Sequence, residues 1–143
     1  MDKYNRQTPT RIGEAYNTQI GGSHYTGMNV QPLYFARKNS LPPEILKAIK
    51  YVTRNKSEND TEKAVHILQM YAENQKLFTK SFLYRLWDIF GKNLRMPMWE
   101  FIRENNITGQ RARALIWIER ASHCSDKLVN QYVNQAIIAI KSI

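Results

Sequence analysis

Cysteine is almost missing from this chain: Cys124 is the only one in 143 residues, so no intramolecular disulfide framework is open to it. Three scattered histidines and no Cys-x-x-Cys pair leave no zinc spacing. No apolar run approaches the roughly 18 residues of a membrane span, and the opening MDKYNRQTPTR is too polar for a signal peptide. These absences predict a cytoplasmic protein with no membrane partner. Glycine-rich phosphate loops are missing as well, since neither GxxxxGK[ST] nor a GxGxxG behind a strand pattern occurs. Acids are few. An all-α metal-dependent pyrophosphohydrolase needs several carboxylates on facing helices to hold magnesium, and Glu58, Asp60, Glu62 and Glu73 make too thin a set, so no metal ligands are assigned.

Positive charge is what the chain has in excess. Against 12 Asp and Glu stand 21 Lys and Arg, a formal net charge of +9, which favours a polyanionic partner such as a nucleotide, a nucleic acid or an anionic surface. The excess is not a tail: residues 1–40, 41–80 and 81–143 contribute +3, +2 and +4. Only a folded surface can concentrate it. With 43% hydrophobic residues, the chain can bury a core of its own.

Glycine and proline crowd the first 43 residues, and helical periodicity dominates afterwards. Residues 1–21 are polar without a sustained period and read as a flexible arm, the alternative being that Tyr16 and Ile20 dock on the body. A short hairpin around Gly21–Tyr25 stays open. Ser40, Pro42, Pro43 and Glu44 read as a helix start, followed by Ile45, Ile49 and Val52 on one face to about Arg54. Asp60 is the expected N-cap of a second helix carrying Ala64, Ile67, Leu68 and Tyr71 and ending near Lys76. Phe82, Leu86, Trp87 and Phe90 suggest a helix stopped near Gly91. Further helices follow from Pro97, from Thr108 and after Ser125. The expected fold is all-α, a compact bundle of six or seven helices, with residues 22–76 as one helical domain and 77–143 as an extension packed on it.

On the helix ending at Arg54, the spacing of Lys47, Lys50 and Arg54 puts three cations within about 60° of one another, away from Ile45, Ile49 and Val52. Lys56 extends this stripe. Ammonium and guanidinium groups donate charge-assisted hydrogen bonds to phosphate oxygens, so the stripe is either a phosphate site or a solvated face. A second unusual element is GGSHY, residues 21–25, where Ser23 offers a hydroxyl, His24 a titratable imidazole and Tyr25 a ring that could stack on a base.

The succession SHY (23–25), QPLYFARKN (31–39), AIKYVTRNKS (48–57) and TEKAVHIL (61–68) resembles a small family of bacteriophage domains that includes nucleotide kinases, over roughly residues 22–73. The resemblance implies a helix opening at the Gln-Pro segment, a phage protein working in the host cytoplasm, and transfer of a phosphoryl group to deoxynucleoside monophosphates without a Walker loop. ATP or another nucleotide would be the donor. Carried over by position, the polar signature falls on His24, Tyr25, Lys50, Tyr51, Arg54, Lys56 and Lys63. On this reading Lys50, Arg54 and Lys56 supply charge to the transferred phosphoryl, Tyr25 or Tyr51 holds a base, and His24 orients a phosphate or accepts a proton. Ser23, Lys47 and Lys63 join the substrate-binding set. Lys47-Ala48 replaces the Gly-Asn pair usual before Ile-Lys-Tyr, and Glu62-Lys63 lacks the usual Leu. A non-enzymatic factor that sequesters nucleotides, or binds nucleic acid or a host protein, would use the same basic surface.

Glu62 and His66 share a helical face as an ordinary surface pair, and His123 and Cys124 receive no role. Residues 97–121 have the rhythm of a helix-turn-helix DNA reader, with Arg111 and Arg113 opening the second helix, so the C-terminal helices are a candidate nucleic-acid partner surface. Trp87, Trp99 and Trp117 read as core or subunit interface. Ile and Val in the last helix suit self-association as well as a monomer core, which keeps a homo-oligomer open.

Overall fold

A computed structural model of the chain describes residues 27–54, 56–77, 91 and 95–143. Among these it holds six helices and no strand: α1 (Pro32–Lys38), α2 (Pro43–Arg54), α3 (Glu58–Leu77), α4 (Met98–Glu104), α5 (Gly109–His123) and α6 (Asp126–Lys141). The all-α expectation holds. The arm at residues 1–21, the GGSHY loop and the helix expected around Phe82–Phe90 lie outside the described residues, as does Trp87.

α1 begins with Pro32 at its first position, where a missing N–H costs nothing, and buries Pro32, Phe35 and Ala36. Ser40 closes it. With φ at 52°, Ser40 takes the left-handed conformation that lets its own N–H reach Arg37 O and the Leu41 N–H reach Ala36 O. α2 starts at Pro43, inside the stretch Ser40 to Glu44 where a helix start was expected, while Ser40 itself ends α1. The same closure recurs after α4, where Asn106 (φ 53°) sends its N–H to Arg103 O while the Ile107 N–H reaches Ile102 O.

α2 and α3 form an antiparallel hairpin. One end is tied by Asn74 Nδ2 donating to Glu44 Oε1 at 3.0 Å, the other by Arg54 and Asp60. α5 and α6, joined through Cys124 and Ser125, form a second hairpin whose mutual packing is the most extensive among the described helices. α3 packs on α6 and α2 on α5, so Ile45, Ile49, Leu68, Tyr71, Leu115, Ile118, Val133 and Ile140 share one core on both sides of residue 77. The short helices close it: α1 rests on α2, α4 on α5, and Phe35 meets Phe101 with ring centroids 4.8 Å apart.

The strand of chain before α1 is fastened by side-chain amides. Asn105 accepts the Val30 N–H at 3.0 Å and donates to Val30 O at 2.8 Å, while Asn29 donates to Glu104 O. Both backbone groups of Val30 are thereby satisfied without a second strand. Among the described residues no helix is long and apolar enough to cross a membrane. In α6 the residues Val129, Val133, Ala136, Ala139 and Ile140 are spent on the core, while Ile138 stays 60% exposed.

Candidate functional site

The basic stripe lies on α2 and on the corner that joins it to α3. α2 buries Ile45, Ala48, Ile49 and Val52, and this turns Lys47 to solvent and leaves Lys50, Tyr51 and Arg54 half-buried at its flank. Rise along a helix sets Lys47 about 10 Å from Arg54. Lys56 is exposed in the connection, and Lys63 is exposed one turn into α3.

Asp60 organises the corner. Its side chain has no exposure, and its two oxygens receive Arg54 Nε at 3.1 Å, Arg54 Nη2 at 2.8 Å and the backbone N–H groups of Lys56 at 2.8 Å and Ser57 at 3.4 Å. In return the Asp60 N–H bonds Ser57 O. The Arg54 guanidinium holds the Asp60 carboxyl well below the usual carboxylate range, outweighing the opposite pull of burial. Asp60 was expected at the N-cap. It stands instead at the third helical position, where its carboxylate reaches back to the Ser57 N–H. Asp60 thus supplies the carboxylate half of a capping box, with an added arginine, while its own N–H goes to the Ser57 carbonyl.

Arg54 was expected to face phosphate together with Lys50, and the geometry gives its fork a different partner. Arg54 Nε and Nη2 donate one to each oxygen of Asp60, a bidentate pairing that holds arginine firmly. The same guanidinium carbon lies 5.0 Å from the Tyr51 ring centroid, and Lys63 Nζ lies 5.8 Å from that centroid. The corner therefore brings together Tyr51, Arg54, Asp60, Lys63 and the Lys56 backbone. Lys47 and Lys50 run away from it along α2. Ser23, His24 and Tyr25 lie outside the described residues.

Two features were not anticipated from the sequence. A cavity of 350 Å³ is lined by Arg95, Met96, Pro97, Glu119 and His123. In it, Glu119 Oε1 accepts the Met98 N–H at 3.0 Å and so caps α4 from a neighbouring helix, and burial pushes its carboxyl above the ordinary range. Arg95 Nη1 lies 3.3 Å from His123 Nδ1, and because a guanidinium only donates, that nitrogen is the acceptor in this contact. The i, i+4 spacing of Glu119 and His123 was the available signal. A larger cavity of 460 Å³ lies at the α4–α5 turn, with Thr53, Asn106, Thr108, Gln110 and Arg111 in its wall. Glu62 and His66 are both exposed, and among the described residues no three His, Cys, Asp or Glu side chains converge as metal ligands do.

Comparison of the chain with protein-family models, with curated proteins and with solved structures found no match.

Proposed function

We propose that this is a phage-type nucleotide-binding protein that holds phosphates at the α2–α3 corner and acts as a deoxynucleoside monophosphate kinase without a Walker loop. One observation carries this reading: the Arg54 guanidinium holds buried Asp60 at the corner, with Lys56 and Lys63 exposed beside it and Lys47 and Lys50 continuing the row of cations along α2. Ammonium groups attract phosphate oxygens and donate charge-assisted hydrogen bonds to them. Arg54 and Asp60 then act as a positioning pair. By fixing the connection they hold Lys56 and the Tyr51 ring in place, in keeping with the requirement that binding groups sit on rigid supports.

Phosphoryl transfer asks for alignment and charge more than for covalent help. A phosphate oxygen of the monophosphate would attack the terminal phosphorus of ATP or another donor, the bond to its bridging oxygen would break, and the donor would leave as its diphosphate. Lys50 and Lys56 would neutralise charge on the transferred group, Lys63 and Lys47 would hold flanking phosphates, and His24 would orient the acceptor or take up a proton. Tyr51 would lie against a base or sugar.

Thin-layer chromatography of labelled deoxynucleoside monophosphate with ATP tests turnover. Labelled diphosphate from the wild-type chain, lost in Lys50→Ala, is the expected result. Retention of the label without conversion would replace the kinase by a sequestering protein.

A further inference from the structure

A second surface, independent of the α2–α3 corner, lies on the two helices around the α4–α5 turn. Met98–Glu104, a four-residue turn and Gly109–His123 follow one another as in a helix-turn-helix unit. α5 buries Ala114, Leu115, Ile118, Ala121 and Ser122 on one side. Its opposite side presents Arg113, Ile116 and Arg120 at i, i+3, i+7, all exposed and spanning about 10 Å, with exposed Gln110 at the first turn. The apolar run IWI thus splits: Ile118 enters the core, Ile116 stands on the surface and Trp117 is half-buried.

On α5 the charge of this side is of one sign, while α4 carries Glu100 and Glu104. The first turn of α5 holds no acid, and its single carboxylate, Glu119, is turned to the Met98 N–H. On α4, Glu104 pairs with Arg103 at 2.9 Å, and Arg103 also lies 5.0 Å from the ring of Trp99, which is 58% exposed. At the N-terminal end of the stripe, the 460 Å³ cavity has Asn106, Thr108, Gln110 and Arg111 in its wall and no acidic side chain among its described lining.

We propose that the outer face of α5 enters the major groove of duplex DNA. A helix of about 10–12 Å fits a groove of about 12 Å. Arginine and glutamine are the side chains that read guanine and adenine edges in pairs of hydrogen bonds, and an exposed isoleucine can meet a thymine methyl. Arg111 and the turn face the phosphates. Duplex is favoured over single strand because the described rings on this face are already engaged within the protein: Trp117 has the Arg120 guanidinium 4.8 Å from its centroid and Tyr132 stacked at 5.7 Å, and exposed Trp99 has Arg103 over its ring, so no row of open rings is offered to successive bases.

Fluorescence anisotropy of the full chain with a labelled 20-base-pair duplex, at low and moderate salt, tests this. Expected are binding that weakens steeply with salt, and an Arg113→Ala/Arg120→Ala variant that binds at least tenfold more weakly with a salt slope reduced by about one to two. That variant should keep its helical circular dichroism and its nucleotide retention, which separates failure here from failure of the α2–α3 reading. Should it lose its fold, Arg113→Gln alone is expected to weaken binding by threefold or more. Absence of duplex binding at low salt, unchanged affinity in the folded variants, or tighter binding to a single strand of the same length would overturn the proposal.

Discussion

Asp60→Ala is expected to lower the folding stability by about 3 kcal/mol at neutral pH, read from urea unfolding by circular dichroism. The side chain is fully buried and takes two bonds from Arg54 and one each from the backbone N–H groups of Lys56 and Ser57. Alanine removes the carboxylate to which both N–H groups bond just before α3. Arg54 is about one-quarter exposed and regains water, so the loss falls at the lower end of what breaking a buried ion pair costs. The pH dependence follows from the lowered pKa. A group whose pKa is depressed in the folded state contributes stability above its unfolded value, here ordinarily 3.8, and that contribution is lost as pH falls below it. The gap between wild type and Asp60→Ala should therefore narrow in acid below about pH 4. A gap of the same size at neutral pH and in acid would show that the pair contributes nothing through its charge.

The second large effect concerns ligand. Lys50→Ala/Lys56→Ala is expected to weaken binding of a deoxynucleoside triphosphate by about thirtyfold in calorimetry, on the order of 1 kcal/mol for each partly exposed ammonium on a phosphate. Lys56→Ala keeps the backbone N–H that Asp60 accepts, so the corner stays folded. Arg54→Ala is the wrong probe, because its loss would open the α2–α3 connection and mix stability with affinity. The remaining affinity should also depend less on salt than that of the wild type. Affinity within twofold of wild type would remove Lys50 and Lys56 from the site.

Much of the bundle was legible because its long helices bury one face at a helical period. Ile45, Ile49 and Val52 in α2, and Val129, Val133, Ala136 and Ile140 in α6, are marked by the pattern and buried, while Ile137, which the pattern also marks, is half-buried. α1 has seven residues, too few for a period to stand out, and entered the reading only through the resemblance. The start of α2 was legible from Pro42, Pro43 and Glu44, whereas Ser40, read with them, belongs by its left-handed backbone to the closure of α1. Asp60 was seen as a cap but assigned to the wrong end of its own motif, although Ser57-x-x-Asp60 was in plain view.

Partner choice was the less legible part of the site. The stripe of Lys47, Lys50 and Arg54 follows from spacing, and burial keeps it outward. That Arg54 bonds Asp60 depends on how the intervening loop folds, which no periodicity encodes. The same holds for Asn105 and Val30, 75 residues apart, and for Glu119 capping α4.

Amide-resolved NMR titration of the 15N-labelled chain with a deoxynucleoside monophosphate tests the central claim most directly. The account predicts that the largest shift changes fall on residues 47–63, with Lys50, Tyr51, Lys56 and Lys63 among them. Changes centred on the α4–α5 turn, or no changes at millimolar ligand, would contradict it.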